Sequence, residues 1–330
     1  MHQDRNIEAI LADLTPSQRK AVTHRDGPLM VVAGAGSGKT RVVTYRIAYL
    51  LANGVPPSSI LALTFTNKAA REIRERVQKL CNGVTPPQFM GTFHSICSRF
   101  LRAWIDLLEN GRDRNFTIFD ADAQFSLIRN IHRNLIKEVE AGTFRASGNL
   151  GLSQELEKLN LRTILNSIQQ EKIGRGHGME KASPTRQFIY STFKERYERE
   201  LMQNNALDFA DLLLMTVRLL NKRIDVRRRL QRQFQYIIVD EYQDTNQIQY
   251  YLLRMLVNPH APNIHVTGDP DQAIYSWRGA DYHNILNFDK DYPNAKVVKL
   301  EENFRSTTNI LTTANALIRN NRKKKKKDLV

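Results

Sequence analysis

The run Ala33-Gly34-Ala35-Gly36-Ser37-Gly38-Lys39-Thr40 brings glycines, a lysine and a hydroxyl together between an apolar stretch and a helix-forming one. Glycines leave the backbone free to wrap an anion, so that successive N–H groups and a helix N-terminus converge on it. A lysine after such a turn reaches the β and γ phosphates of a nucleotide, and the next threonine is placed to ligate Mg²⁺. Ala33 stands where the usual pattern has glycine, and Arg41, next in line, is grouped with the same loop. A second element is acidic: the run "IIVDE" ends in Asp240 and Glu241. Asp240 would anchor Mg²⁺ through water, and Glu241 would accept the proton of an attacking water. Either element alone has a plain alternative, a glycine-rich turn or a solvated strand end. Together in one domain they fit a site for nucleotide hydrolysis.

A third stretch, "GDPDQAIYSWRGA" from Gly268 to Ala280, crowds acids, an amide, aromatics and an arginine into one loop. A loop that only turns the chain has no use for Trp277 beside Arg278. Aromatic faces stack on unpaired bases of any sequence, for about 1 to 3 kcal/mol per base, and an arginine pairs with phosphate or stacks as well.

These groups need a scaffold that holds loop ends together. Apolar runs recur as "PLMVVA", "ILALTF", "QYIIVD", "IHVTG" and "KVVKL", several without the alternation of a half-exposed strand. That pattern suits a parallel sheet covered on both faces. The segments "KTRVVTYRIAYLL" and "NKAAREIRERVQKL" follow the first two runs and read as helices, which makes the organisation α/β. From about Ile105 to Asn205 β character nearly vanishes apart from "FTIF", while Phe125, Ile128 and Leu135, then Phe193, Tyr197 and Leu201, recur at helical steps. The expected division is therefore 1–105 and 206–320 as two parts of one α/β domain, 106–205 as a helical insertion, and 321–330 as a basic tail or linker. Segments "AGTFRASGNLG" and "GRGHGMEKASP" interrupt the insertion as flexible stretches. The basic run "NKRIDVRRRLQRQ" reads first as a solvated helix face.

The chain has 330 residues, 41% of them hydrophobic, and a formal net charge of +15, which makes a polyanion the expected large partner. Cys81 and Cys97 are its two cysteines, too few for a disulfide framework. No apolar run is long enough to span a membrane, and the polar N-terminus does not read as a secretion signal, so a soluble cytoplasmic protein is expected.

Taken in order, the motifs resemble those of the UvrD/Rep/PcrA group of superfamily 1 DNA helicases over essentially the whole chain. "LTPSQRKAV" looks like the group's adenine-reading segment, "TFTNKAA" and "GTFHSIC" like its single-strand contacts, "VDEYQDTN" like its acidic motif, and "GDPDQAIYSWRGA" and "LEENFRST" like the two that follow. The resemblance implies a RecA-like P-loop NTPase domain interrupted by a mostly helical subdomain, with ATP and Mg²⁺ as cofactors. It implies that Gln18 reads adenine, that Gln272 and Arg305 face the γ-phosphate with Lys39, and that Thr40 and Asp240 hold the metal. Phe304 stands where many relatives have tyrosine, so stacking on the base is expected and a hydroxyl contact is not. Phe65, Asn67, Thr92, His94, Tyr275, Trp277 and Arg278 are implied to face single-stranded DNA. Phe65 as a core residue and His94 as an internally satisfied histidine stay open beside that reading. Ala210, in "LDFADLL", replaces an acid common in relatives and reads as structural.

Relatives continue with a second RecA-like domain, and nothing after Arg305 looks like one, so the chain is expected to be the N-terminal half of a helicase. The implied activity is ATP-dependent translocation and unwinding with 3′ to 5′ polarity at single-strand and single-to-duplex junctions, in repair or replication. The half alone is expected to bind ATP and single strands without unwinding. The motor half of a helicase-nuclease, a non-catalytic ATP-gated DNA-binding module and an RNA-directed role stand as alternatives.

Overall fold

Runs of Val, Ile and Leu without alternation become strands buried on both faces. The computed structural model describes residues 2–81, 85–144, 152–176 and 181–320, with backbone alone for 2–6 and Arg278. In the described residues the strands are β1 (Leu29–Ala33), β2 (Ile60–Thr64), β3 (Phe89–Thr92), β4 (Thr117–Ile118), β5 (Ala206–Leu207), β6 (Tyr236–Val239), β7 (Ile264–Gly268) and β8 (Lys296–Leu300). The chain forms two compact units, one of residues up to Ile96 and from Ile224 onward, the other Cys97–Arg223.

In the first unit six strands make one sheet in the order β3-β2-β6-β7-β1-β8, and every neighbouring pair is parallel. Strands β1, β2, β6 and β7 are buried along their whole length. The edge strand β8 alternates, with Val298 and Leu300 buried and Val297 and Lys299 exposed. Helix Lys39–Ala52 follows β1 and helix Asn67–Leu80 follows β2. Ile47, Ile73 and Val77 of those helices pack with Ala62 and Ile238, and Val42 packs with Val22, Val31 and Leu300. Because all six strands are parallel, every loop that leaves a strand emerges at the same edge of the sheet, where ligands of open α/β sheets bind. Strand β3 was not expected; four residues at the sheet edge, one of them Gly91, carry too little apolar pattern to announce it.

The second unit is helical, with Ala121–Glu140, Leu152–Glu157, Leu161–Lys172, Pro184–Gln203 and Phe209–Lys222. Ile128, Leu135, Phe193, Tyr197 and Leu201 share one core with Ile164 and Ile168, while Phe125 lies half-buried under Arg129 and Arg162. The unit extends past the 106–205 expected for it. "LDFADLL" belongs to it because β5 pairs in parallel with β4 from the "FTIF" segment, and Asp208 and Asp211 take Lys172 as their buried partner. Residues 145–151 and 177–180 of the two interrupting segments, and the tail from 321, lie outside the described residues. The basic run forms helix Ile224–Gln233, with Val226 and Leu230 buried. Among the described residues no helix is long and apolar enough to cross a membrane.

Candidate active site

The glycine loop connects β1 to helix Lys39–Ala52 and walls a cleft of about 710 Å³. Gly34, Ala35, Gly36, Gly38, Lys39, Thr40 and Arg41 line it, joined by Glu241, Gln272, Phe304 and Arg305 from loops after other strands. Ala33 is instead a buried residue of β1. Ser37 is buried too, its hydroxyl donating to the Gly34 carbonyl at 2.8 Å, which holds the loop in its turn. The β8 loop closes over it: Phe304 N–H donates to the Gly36 carbonyl at 3.0 Å and Asn303 Nδ2 to the Ala35 carbonyl at 2.5 Å. Asn303 Oδ1 accepts from the backbone N–H of Arg305 and of Ser306, both at 2.8 Å. Phe304 leaves 65% of its surface exposed at the cleft.

Gly36 has φ +75, and a Cβ built on it would lie 2.7 Å from both Arg305 Cβ and Asn303 Nδ2. A non-glycine residue in that region costs about 1 to 2 kcal/mol. Gly36→Ala is therefore expected to push residues 303–305 off the loop and weaken Mg·ATP binding about tenfold, as read by calorimetry. Unchanged affinity would mean that the 303–305 segment does not shape the site.

Strand order explains which side chains meet. β7 lies between β1 and β6, so the loop after it stands between the glycine loop and the acidic pair. Lys39 Nζ donates to Gln272 Oε1 at 3.0 Å and lies 3.7 Å from Glu241 Oε2. Glu241 has φ +51, a left-handed backbone that a non-glycine residue holds only under constraint, and it turns the chain straight out of β6. Asp240 lies beneath, buried, its Oδ1 accepting from Glu241 N–H at 3.0 Å. Burial, with the charge of Glu241 beside it, pushes the Asp240 carboxyl up to about 7, against the pull of Lys39. Asp244 is likewise raised to about 6 by burial and Glu241, and its buried Oδ1 has no hydrogen-bond partner. Buried carboxyls short of positive partners, beside a polar cleft with Thr40 on its wall, fit a divalent cation.

Gln18 reaches the loop in an unanticipated way. It is buried, its Nε2 donates to the Ser37 carbonyl at 3.1 Å, and it closes the capping box of helix Pro16–Val22 with Thr15. Arg41 donates to the Asp13 carbonyl at 2.8 Å and packs over the Tyr45 ring.

Beside the cleft runs an aromatic row. Phe65, half-buried at the end of β2, stacks on Tyr275 with ring centroids 5.1 Å apart, and Tyr275 tilts against Trp277 at 6.5 Å. Trp277 is 68% exposed. Asn67 is exposed at the start of helix Asn67–Leu80. The Thr92 hydroxyl accepts from Ser95 N–H at the start of helix Phe93–Trp104. His94, in the same helix, is half-buried, and burial holds its pKa low. The side chain of Arg278 lies outside the described ones.

Sequence reasoning passed over Gln243, Asp244, Asp269 and Asn303, all inside motifs it quoted, because each acts by holding another residue. Glu72 and Arg76, on the cleft wall, carried no local signal at all.

A phosphate-binding loop after one strand of a parallel sheet, faced by an Asp-Glu pair ending another, defines the class as a P-loop NTPase on a RecA-like sheet. Residues 14–293 match the family model described as UvrD/REP helicase N-terminal domain, and the chain belongs to that family. It is 44% identical over 324 residues to the ATP-dependent DNA helicase PcrA of Staphylococcus aureus (strain Mu50 / ATCC 700699), covering 98% of this chain and 42% of that protein. It is 44% identical over 326 residues to the protein of the same name in Bacillus subtilis (strain 168), covering 97% and 41%. The chain thus spans about two fifths of the length of these relatives.

Proposed function

We propose that this chain binds and hydrolyses Mg·ATP in the cleft and grips single-stranded DNA along the aromatic row, as the ATPase part of a 3′ to 5′ DNA helicase motor. The observation that carries the reading is one continuous path: Lys39 contacts Gln272, and three positions further on Tyr275 stacks on Phe65. The relatives named ATP-dependent DNA helicase support the same cofactor and polymer.

In this reading the loop N–H groups and Lys39 hold the β and γ phosphates, and Gln272 and Arg305 face the γ-phosphate. Phe304 stacks on the base, while Gln18 keeps the loop in register and has one amide hydrogen left for adenine. Thr40 and Asp240 hold Mg²⁺, which when bound neutralises charge on the phosphates. Glu241 orients the attacking water and takes its proton. Trp277, Tyr275 and Phe65 stack on bases, with Asn67, Thr92, His94 and Arg278 along the strand. A second RecA-like domain of the full-length protein is the partner that completes the clamp, and the setting is DNA repair or replication in the cytoplasm.

The test is ATP hydrolysis with and without a single-stranded oligonucleotide, alongside unwinding of a tailed duplex. Hydrolysis is expected to rise with the oligonucleotide while the duplex stays paired. A rate indifferent to the oligonucleotide would remove the coupling, and efficient unwinding by this chain would remove the need for a second domain.

Trp277→Ala is expected to weaken oligonucleotide binding by about 1 to 3 kcal/mol, the contribution of one stacked base. The melting temperature should hold, because the ring is largely exposed. Fluorescence anisotropy with a labelled oligonucleotide reads the first and thermal denaturation the second; unchanged affinity places the strand elsewhere.

A further inference from the structure

Gln243 is 1% exposed, lies in the turn after β6, and has both ends of its amide engaged. Its Oε1 accepts from Asp269 N–H at 2.9 Å, and since a backbone N–H only donates, this settles which end of the amide faces β7. The other end, Nε2, donates to Glu241 Oε2 at 2.8 Å and to Asp244 Oδ2 at 3.3 Å. The approach to β7 is close enough that a Cβ on Gly268 would lie 2.5 Å from Gln243 Oε1.

From Asp269 the contacts continue. Its Oδ1 accepts from Asp271 N–H at 3.0 Å and its Oδ2 from Gln272 Nε2. Gln272 accepts from Lys39, and Lys39 faces Glu241. Five residues, Glu241, Gln243, Asp269, Gln272 and Lys39, therefore close a ring, through the backbone N–H of Asp269 on the Gln243 side and through side chains elsewhere. A triphosphate that draws Lys39 to itself opens the ring on the lysine side. Gln243 then still joins Glu241 to the loop of Gln272.

We propose that Gln243 is the positioning residue that ties the Glu241 carboxylate to the Asp269–Gln272 turn, and through that turn links nucleotide occupancy to the Phe65, Tyr275 and Trp277 row. The inference rests on the reading of the cleft as an ATP site and the row as a single-strand site. The amide meets the demand at both ends, because this position must accept from one backbone N–H while donating to a carboxylate. Glutamate keeps the acceptor and puts a like charge against Glu241; leucine supplies neither.

The experiment uses this chain, a labelled oligothymidylate and a non-hydrolysable Mg·ATP analogue, so that turnover is not needed. Oligonucleotide affinity is measured by anisotropy with and without saturating analogue, and the ratio of the two is the coupling. Wild type is expected to show a ratio of about 5 to 150, the usual range for coupled sites. Gln243→Leu and Gln243→Glu are expected to bring it within about twofold of one while each ligand alone binds within about threefold of wild type. A wild-type ratio kept in either variant overturns the proposal by itself. A ratio near one already in wild type overturns it together with the coupled reading of the site. Loss of both separate affinities in both variants makes Gln243 a residue of the fold alone, which also overturns it.

Discussion

Lys39→Ala is expected to lower ATP hydrolysis by about 10³-fold, the upper range for deleting one preorganised electrostatic contact from a transition state. Lys39 is 9% exposed, so its charge acts in a medium far less polarisable than water. It is the cation between Gln272 and Glu241, and part of what restrains the raised Asp240 carboxyl. Alanine removes the charge proposed to meet the phosphates and leaves Asp240, Glu241 and Asp244 without that neighbour. The sign for Asp240 follows: losing a group that favours the carboxylate moves its pKa further up. The measurement is phosphate release at saturating Mg·ATP with oligonucleotide present, and oligonucleotide affinity without nucleotide is the control, expected to stay within about twofold of wild type. A residual rate within about tenfold of wild type would move the catalytic assignment away from this loop.

Lys172→Met is expected to destabilise the helical unit by about 3 to 5 kcal/mol, the usual result of removing one partner from a buried charge cluster. Lys172 Nζ lies 2.7 Å from Asp208 Oδ2, 3.0 Å from Asp211 Oδ1 and 2.6 Å from Glu198 Oε1. Both aspartates are fully buried. Tyr197 OH and Gln169 Nε2 donate to Asp208 as well, at 3.0 and 2.8 Å, but neither brings a positive charge. In the native cluster burial and Asp208 push the Asp211 carboxyl up to about 6. Burial opposes Lys172 at Asp208, and the lysine prevails, holding that carboxyl below its usual value.

The two carboxyls thus have opposite pH dependence in wild type. Asp211, with its folded pKa raised, contributes stability in acid that is lost as pH climbs through about 6. Asp208, with its folded pKa depressed, contributes stability present above its unfolded value and lost as pH falls further. Without Lys172 the Asp211 carboxyl loses a group that lowers it and Asp208 loses the charge that holds it down, so both folded pKa values move up and the folded state is expected to bind more protons. The variant should therefore gain stability as pH falls from about 8 to about 5, and urea denaturation at the two pH values reads it. A variant as stable as wild type at the higher pH, or one weakened further by acid over that window, would show that the lysine does not neutralise this cluster.

Much of the site was legible because its elements are local. A glycine loop ahead of a lysine, an apolar run ending in two acids, and a loop with Tyr275 and Trp277 each carry their pattern within a dozen residues. The apolar runs that became β1, β2, β6, β7 and β8 were legible for the same reason, since burial on both faces removes alternation from the strand itself. Strand β3 and the short β5 escaped because their residues make sense only against a partner strand.

Residue types and spacing were sufficient for the kind of fold, the phosphate loop, the acidic pair and the presence of aromatics beside them, because propensity and periodicity act over neighbouring positions. They were insufficient for the sheet order. Pairing is nonlocal, and the place of β7 between β1 and β6 brings Gln272 to Lys39 across more than two hundred residues of chain. The same order sets Gln243 against Asp269, puts Glu72 and Arg76 on the cleft wall, and stacks Phe65 on Tyr275. It also takes up Gln18, whose amide holds the glycine loop and its own helix cap. Apart from that local cap, those contacts exist only once the chain has folded, because each joins groups far apart in the sequence.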